Sequence, residues 1–261
     1  LGKRRDWANF AAEYPRFRMN DDREVRCYAL LLDHQASKDV KDEALSTWLA
    51  QRDADDGCAL LAAALVDAKK FGAAEVWRKA RFAIDANRPR AARQAVALLN
   101  MDAATRVGEL TDNPARFLAR NASASSRPAA ELATLALMKL AGNDPEAAAL
   151  QLDERWDKTL PPDLSAWAWA MVAKQSALKQ LPGAADQFQR AALRASRGGA
   201  EPDWPDDTLA WKVRAALRAE EGRGRWQQVV QAINAMTPEQ QRDPAWVYWK
   251  ARALQAMAPA S

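Results

Sequence analysis

"GAADQFQRAAL" (residues 183–193) opens on a glycine and then sets apolar residues at helical spacing. The same opening recurs as "GNDPEAAAL" at 142–150 and "GRWQQVVQAI" at 224–233, so Gly142, Gly183 and Gly224 are evenly spaced. "GAAEVWRKA" at 72–80 precedes the first of these by about two shorter units. In each case glycine ends one helix and a small or apolar residue opens the next. A repeat of this size built from two helices is the signature of an α-solenoid, in which each helical hairpin buries its apolar face only against its neighbours. The expected fold is therefore all-α: a solenoid or superhelix of antiparallel helical hairpins, tetratricopeptide-like, with right-handed stacking.

Composition points the same way. Alanine occurs 59 times, against 20 for valine, isoleucine and threonine together. Alanine is the best helix former, while the β-branched residues favour strands. Glycine and proline punctuate the chain at helix-length intervals. The expected helices fall near 5–13, 22–36, 40–51, 56–69, 72–86, 89–100, 113–120, 128–141, 144–156, 163–180, 183–196, 206–221, 225–236 and 244–257. The whole of 1–261 reads as a single α-superhelical domain, with a flexible joint expected in "RASRGGAEPDWPDD" at 194–207. The last helix follows the N-cap Asp243 and Pro244, and places Trp246, Trp249, Ala253 and Met257 along one stripe, widened by Val247 and Leu254. One upstream neighbour covers only part of so broad a face. With residue 1 a leucine, the chain reads as a fragment truncated at both ends.

Chemistry-bearing residues are sparse. The net charge is +4 and the basic residues are scattered, without the stripe or motif of a nucleic-acid binder, so nucleic acid is not an expected partner. No apolar run approaches the ~20 residues of a membrane span. The lone His34 has no nucleophile motif beside it, and with only two cysteines the chain cannot supply four Cys or His ligands for structural zinc. No catalytic residue, metal site or cofactor is expected. Cys27 and Cys58 lie on helices separated by one intervening helix, open equally to a disulfide and to two buried thiols. The carboxylate pairs Asp21–Asp22, Asp55–Asp56, Asp206–Asp207 and Glu220–Glu221 fall at helix ends, where capping is the natural role. The 11 tryptophans read mostly as interhelical packing residues, with Trp7 and Trp204 the exposed ones.

The order of several stretches resembles a known family. "RRDWANFAAEYP" (4–15), "EVRCYALLL" (24–32), "EALSTWLAQRDADDGCALLAAAL" (43–65) and "VWRKARFAIDANRPRAARQAVALL" (76–99) follow one another as in the N-terminal superhelical region of soluble lytic murein transglycosylases. "RDPAWVYWKARAL" (242–254) is similar to a later helix of that region. The likeness is strong over 6–100 and 204–257, and it is carried by order and spacing together. It implies a Cys27–Cys58 disulfide and a periplasmic location. It also implies that linker and lysozyme-like catalytic domains follow, which cleave the MurNAc–GlcNAc bond of peptidoglycan glycan strands to a 1,6-anhydro product. In the family the catalytic acid is a glutamate followed by serine, and none of the 12 glutamates here is so followed. The resemblance thus implies a non-catalytic scaffold that engages glycan strands and holds the catalytic domain. The same solenoid would equally serve a free-standing tetratricopeptide-like module that binds a protein or peptide.

Overall fold

The computed structural model describes residues 1–19, 21–199, 203–219 and 224–258. Among these the secondary structure is helical throughout, without a strand, and no helix is long and apolar enough to cross a membrane. The chain divides into two compact units, Leu1–Asn113 and Pro114–Ser261.

In the first unit, α1 (Trp7–Glu13) and α2 (Arg23–Gln35) are followed by α3 (Lys41–Ala50), α4 (Asp56–Asp67), α5 (Ala73–Asp85), α6 (Pro89–Val96) and α7 (Met101–Asp112). Asp22, Asp55 and Asn100 start α2, α4 and α7, each carboxylate or amide oxygen accepting from the backbone N–H three residues on, at 3.1, 2.7 and 2.7 Å. These bonds satisfy donors that the first helical turn leaves without partners. The core gathers Leu30, Leu61, Leu65, Val76 and the stacked pair Trp48–Phe71, whose ring centroids stand 5.6 Å apart. Inside it, Cys27 of α2 and Cys58 of α4 form a disulfide with an S–S distance of 2.05 Å. The N-terminal turn lies so close to Tyr28 that a Cβ on Gly2 would fall 2.4 Å from the ring, so only glycine fits. Arg5 fastens the same turn to α4, its Nη2 donating to Asp56 Oδ1 at 2.8 Å.

The second unit contains α8 (Pro114–Arg120), α9 (Arg127–Asn143), α10 (Pro145–Gln151), a π-turn over Leu152–Trp156 and the short α11 (Asp157–Thr159). Then come α12 (Pro162–Leu178), α13 (Ala184–Arg197), α14 (Asp206–Arg218), α15 (Arg225–Asn234), α16 (Pro238–Gln241) and α17 (Pro244–Met257). α12 is apolar nearly all round and buried, with Trp167 and Trp169 on different faces and both inside. Asp243 caps α17 as expected, accepting from Ala245 N at 2.8 Å.

Several expectations are corrected. Trp204 is buried rather than exposed, at 4% of its free surface, with the Lys212 ammonium of α14 5.6 Å from its ring. The loop residue just before α14 folds back under that helix, which its loop-like surroundings in sequence hide. Trp7 is half-buried, packed against Tyr28 at 5.8 Å and Phe10 at 6.4 Å. None of the 11 tryptophans is fully exposed. The region 101–112, read as connection, is helix α7. Helix α14 stops at Arg218 instead of reaching 221, since Ala219 is extended. Glu220–Glu221 and the middle of the expected joint, 200–202, lie outside the described residues. Asp22 and Asp55 cap as expected, but Asp55 rather than Asp56 is the N-cap of α4, and Pro205 is the N-cap of α14. Besides Arg5, Asp56 accepts from Tyr28 Oη at 2.6 Å, Asp206 accepts from Thr237 N at 2.8 Å and Asp207 pairs with Lys174 at 2.7 Å.

Candidate functional site

The repeat that decides the fold also builds a cleft. Gly183 and Gly224, which occupy equivalent places in the repeat, are the N-caps of α13 and α15, with φ of 83° and 100°. In this left-handed region glycine is favoured. The third repeat glycine, Gly142, is different: α9 continues through it and Asp144 caps the next helix. The α12–α13 and α14–α15 hairpins therefore start their second helices alike, and a cleft of about 640 Å³ opens between them. That volume is of the size that small-molecule and peptide-end sites use, roughly 300–1,000 Å³.

One face of the cleft comes from α14. Trp211, Arg214 and Arg218 stand at positions i, i+3 and i+7, a spacing that puts them on a single helical stripe. Arg225, at the start of α15, and Gln228 one turn on add a second side. The α12–α13 turn and the first turn of α13 complete it, with Asp186 and Gln189. Among the described residues, three arginines and one carboxylate thus line the cleft.

The arginines are held differently. The Arg214 guanidinium carbon lies 4.8 Å from the Trp211 ring centroid and 5.3 Å from that of Trp246 on α17, so two indoles hold it by cation–π attraction. Among the described residues, no hydrogen-bond acceptor or carboxylate partners Arg214 or Arg218. Arg225 Nη2 donates to Leu217 O at 2.6 Å, capping the C-terminus of α14, and its guanidinium lies 4.8 Å from the Trp226 ring. Its Nε is buried without a partner. An exposed, positively charged edge backed by an aromatic wall can take an anion, because guanidinium donors match a carboxylate in pairs and the adjacent helix N-terminus favours negative charge.

The residues singled out in sequence lie elsewhere. Cys27 and Cys58 sit together in the first unit as a disulfide, with no free thiol. His34 is half-buried on α2. Among the described residues no group of three His, Cys, Asp or Glu is placed to hold a metal. Sequence reasoning misses the cleft, yet a signal is present: "WKVRAALR" at 211–218 carries its tryptophan and both outward arginines at one helical spacing.

The fold and its cleft define an all-α array of helical hairpins. No protein-family model and no curated protein matches the sequence. Among solved structures, the chain is similar to an inactive mutant of the lytic transglycosylase Slt from Pseudomonas aeruginosa, with a TM-score of 0.53 and 22% identity. The likeness covers 100% of this chain and 41% of the transglycosylase chain, so this chain spans less than half of that protein's length. At such identity the likeness is one of fold.

Proposed function

We propose that this chain is the non-catalytic superhelical region of a periplasmic peptidoglycan lytic transglycosylase. In this reading the chain is a scaffold that engages glycan strands and positions linker and catalytic domains. The parent enzyme cleaves the MurNAc–GlcNAc bond and closes the 1,6-anhydro ring. The observation that carries the reading is the full-length structural likeness to part of a lytic transglycosylase, which coincides with the ordered motifs over 6–100 and 204–257. The buried disulfide supports an oxidising compartment outside the cytoplasm. The absence of any glutamate followed by serine supports a scaffold role for these 261 residues.

Co-sedimentation with purified peptidoglycan sacculi tests it. The chain is expected to pellet with sacculi and to release no anhydro-muropeptides on prolonged incubation. A chain that stays in the supernatant at every protein concentration overturns the wall reading, and the tetratricopeptide-like module then takes its place.

A further inference from the structure

We infer that the cleft between the α12–α13 and α14–α15 hairpins binds the free carboxylates of the peptide side chains that wall glycan strands carry. The identity of the ligand rests on the wall reading above; the chemistry of the site does not. Among the described residues, its lining sets three arginines against Asp186. The guanidinium groups of Arg214 and Arg218 have no acceptor among the described residues, although an arginine offers five N–H donors. The first turn of α13 borders the same space, and Gly183 provides no side-chain cap for its N–H groups. All of these features select negative charge, and none discriminates for a neutral sugar ring. The amino-sugar backbone of a wall glycan is neutral where its carboxyl groups are substituted by peptide. The strand's negative charge then resides on the peptides.

Shape and further polarity favour a peptide as well. Gln180, Gln189 and Gln228 line the cleft, and their amides can both donate to and accept from a peptide backbone. Trp211 gives a flat apolar wall beside Arg214, against which an aliphatic peptide side chain can lie. The double indole contact restrains Arg214 before any ligand arrives, so less conformational freedom is lost on binding.

The test is equilibrium binding to the 261-residue chain by calorimetry, with three probes. These are the sugar-free acidic tetrapeptide of the wall, the same tetrapeptide with its carboxylates amidated, and an uncharged oligomer of N-acetylglucosamine. Saturable binding of the acidic tetrapeptide is expected, falling about tenfold or more in Arg214→Gln/Arg218→Gln, as for loss of charge-assisted hydrogen bonds. Thermal unfolding shows whether that variant folds; if it does not, Arg218→Gln alone, at an exposed side chain, carries the comparison. Equal affinity for the amidated peptide, competition by the uncharged sugar oligomer, or an affinity unchanged by the substitutions overturns the proposal. Sedimentation with sacculi separates the two readings. If the chain pellets equally with and without the substitutions, the wall reading stands and the cleft proposal falls. If it binds any acidic peptide alike and never pellets, the wall peptide is the wrong ligand.

Discussion

Lys79 is 3% exposed in the first unit, an unusual place for an ammonium. It projects from α5 to the C-terminal end of α3, where it donates to Trp48 O at 2.6 Å and also to Gln51 O, with its Nζ 5.9 Å from the Trp48 ring. The carbonyls at a helix C-terminus lack intrahelical partners and carry partial negative charge, so a cation there is stabilised. Burial nonetheless lowers its pKa to about 8, with Asp55 and Asp53 pulling it back upward. In the unfolded chain the group titrates at 10.5. The folded state therefore binds its proton less tightly. The burial penalty is full below pH 8 and is relieved as pH rises from about 8 to 10.5, where only the unfolded chain keeps the proton. The difference in unfolding free energy between wild type and Lys79→Met should shift toward the wild type by up to about 3 kcal/mol over that window. Denaturant titrations at the two ends measure it, and a flat difference rejects the argument. None of this is legible in "VWRKARF", where Arg78, Lys79 and Arg81 read as the solvated face of an amphipathic helix. Arg81 is buried as well, and what draws the Lys79 ammonium inward is the last carbonyls of α3, a helix two elements earlier in the chain.

At the scale of elements, the run from α10 to α11 shows what periodicity can and cannot reveal. Apolar spacing predicts a helix over 144–156, and the structure has one, but with a π-turn at its end. There Asp157 N–H bonds to Leu152 O, one residue beyond the α-helical partner. The wider turn accompanies a fully buried Trp156 and leaves Asp157 against α12 and α13. Asp157 Oδ1 accepts from Ser165 Oγ at 2.6 Å and from Trp169 Nε1 at 3.0 Å, and Oδ2 accepts from Arg194 Nη2. Burial opposes the charge, yet the bonds from Arg194, Ser165 and Trp169 outweigh it and hold the pKa below the unfolded value of 3.8. Stability from this group is thus complete above that value and is lost as pH falls through the folded pKa. Asp157→Ala should cost about 2–4 kcal/mol at neutral pH, by stranding a partly buried arginine and an indole N–H. Asp157→Asn, which keeps an acceptor, should cost less, and the gap between either variant and the wild type should narrow below about pH 4. Chemical unfolding at pH 7 and near pH 3 measures both; a gap to the wild type that stays the same at both pH values would refute the role of the charge. Helix α7 is the opposite lesson. Its stripe of Ala103, Ala104, Val107 and Leu110 and its N-cap Asn100 are in plain view, but Thr105, Gly108 and Thr111 lower helix propensity enough to hide it. In the fold both threonine hydroxyls bond back to carbonyls four residues earlier, at 3.0 and 2.9 Å, which satisfies them within the helix.

For the molecule as a whole, a solenoid's stability is approximately a sum of hairpin terms and nearest-neighbour interfaces, so a local cross-link should act locally. The disulfide is the sharpest probe of that rule here. Spacing alone leaves Cys27 and Cys58 open between a bridge and two buried thiols; the pairing is legible only through the resemblance of their surrounding motifs. The bond joins α2 to α4 with α3 looped between them, a sequence separation of 31. Closing a loop of that size restricts the unfolded chain by about 3–4 kcal/mol in the chain-entropy picture. Both sulfurs lie inside the core with Leu30, Leu61 and Leu65, so Cys27→Ala/Cys58→Ala removes the cross-link and also leaves a small packing defect. Hydrogen exchange read helix by helix should therefore show α2, α3 and α4 losing protection by about two orders of magnitude or more, as for a loss of ~3 kcal/mol. Exchange in α12, within the second unit, should stay near the wild-type rate. If α12 loses protection in the same proportion, the two units unfold as one cooperative body and the nearest-neighbour description fails for this chain. If α2 to α4 are unchanged, the disulfide adds no measurable stability to the helices it joins and the loop-entropy argument fails here.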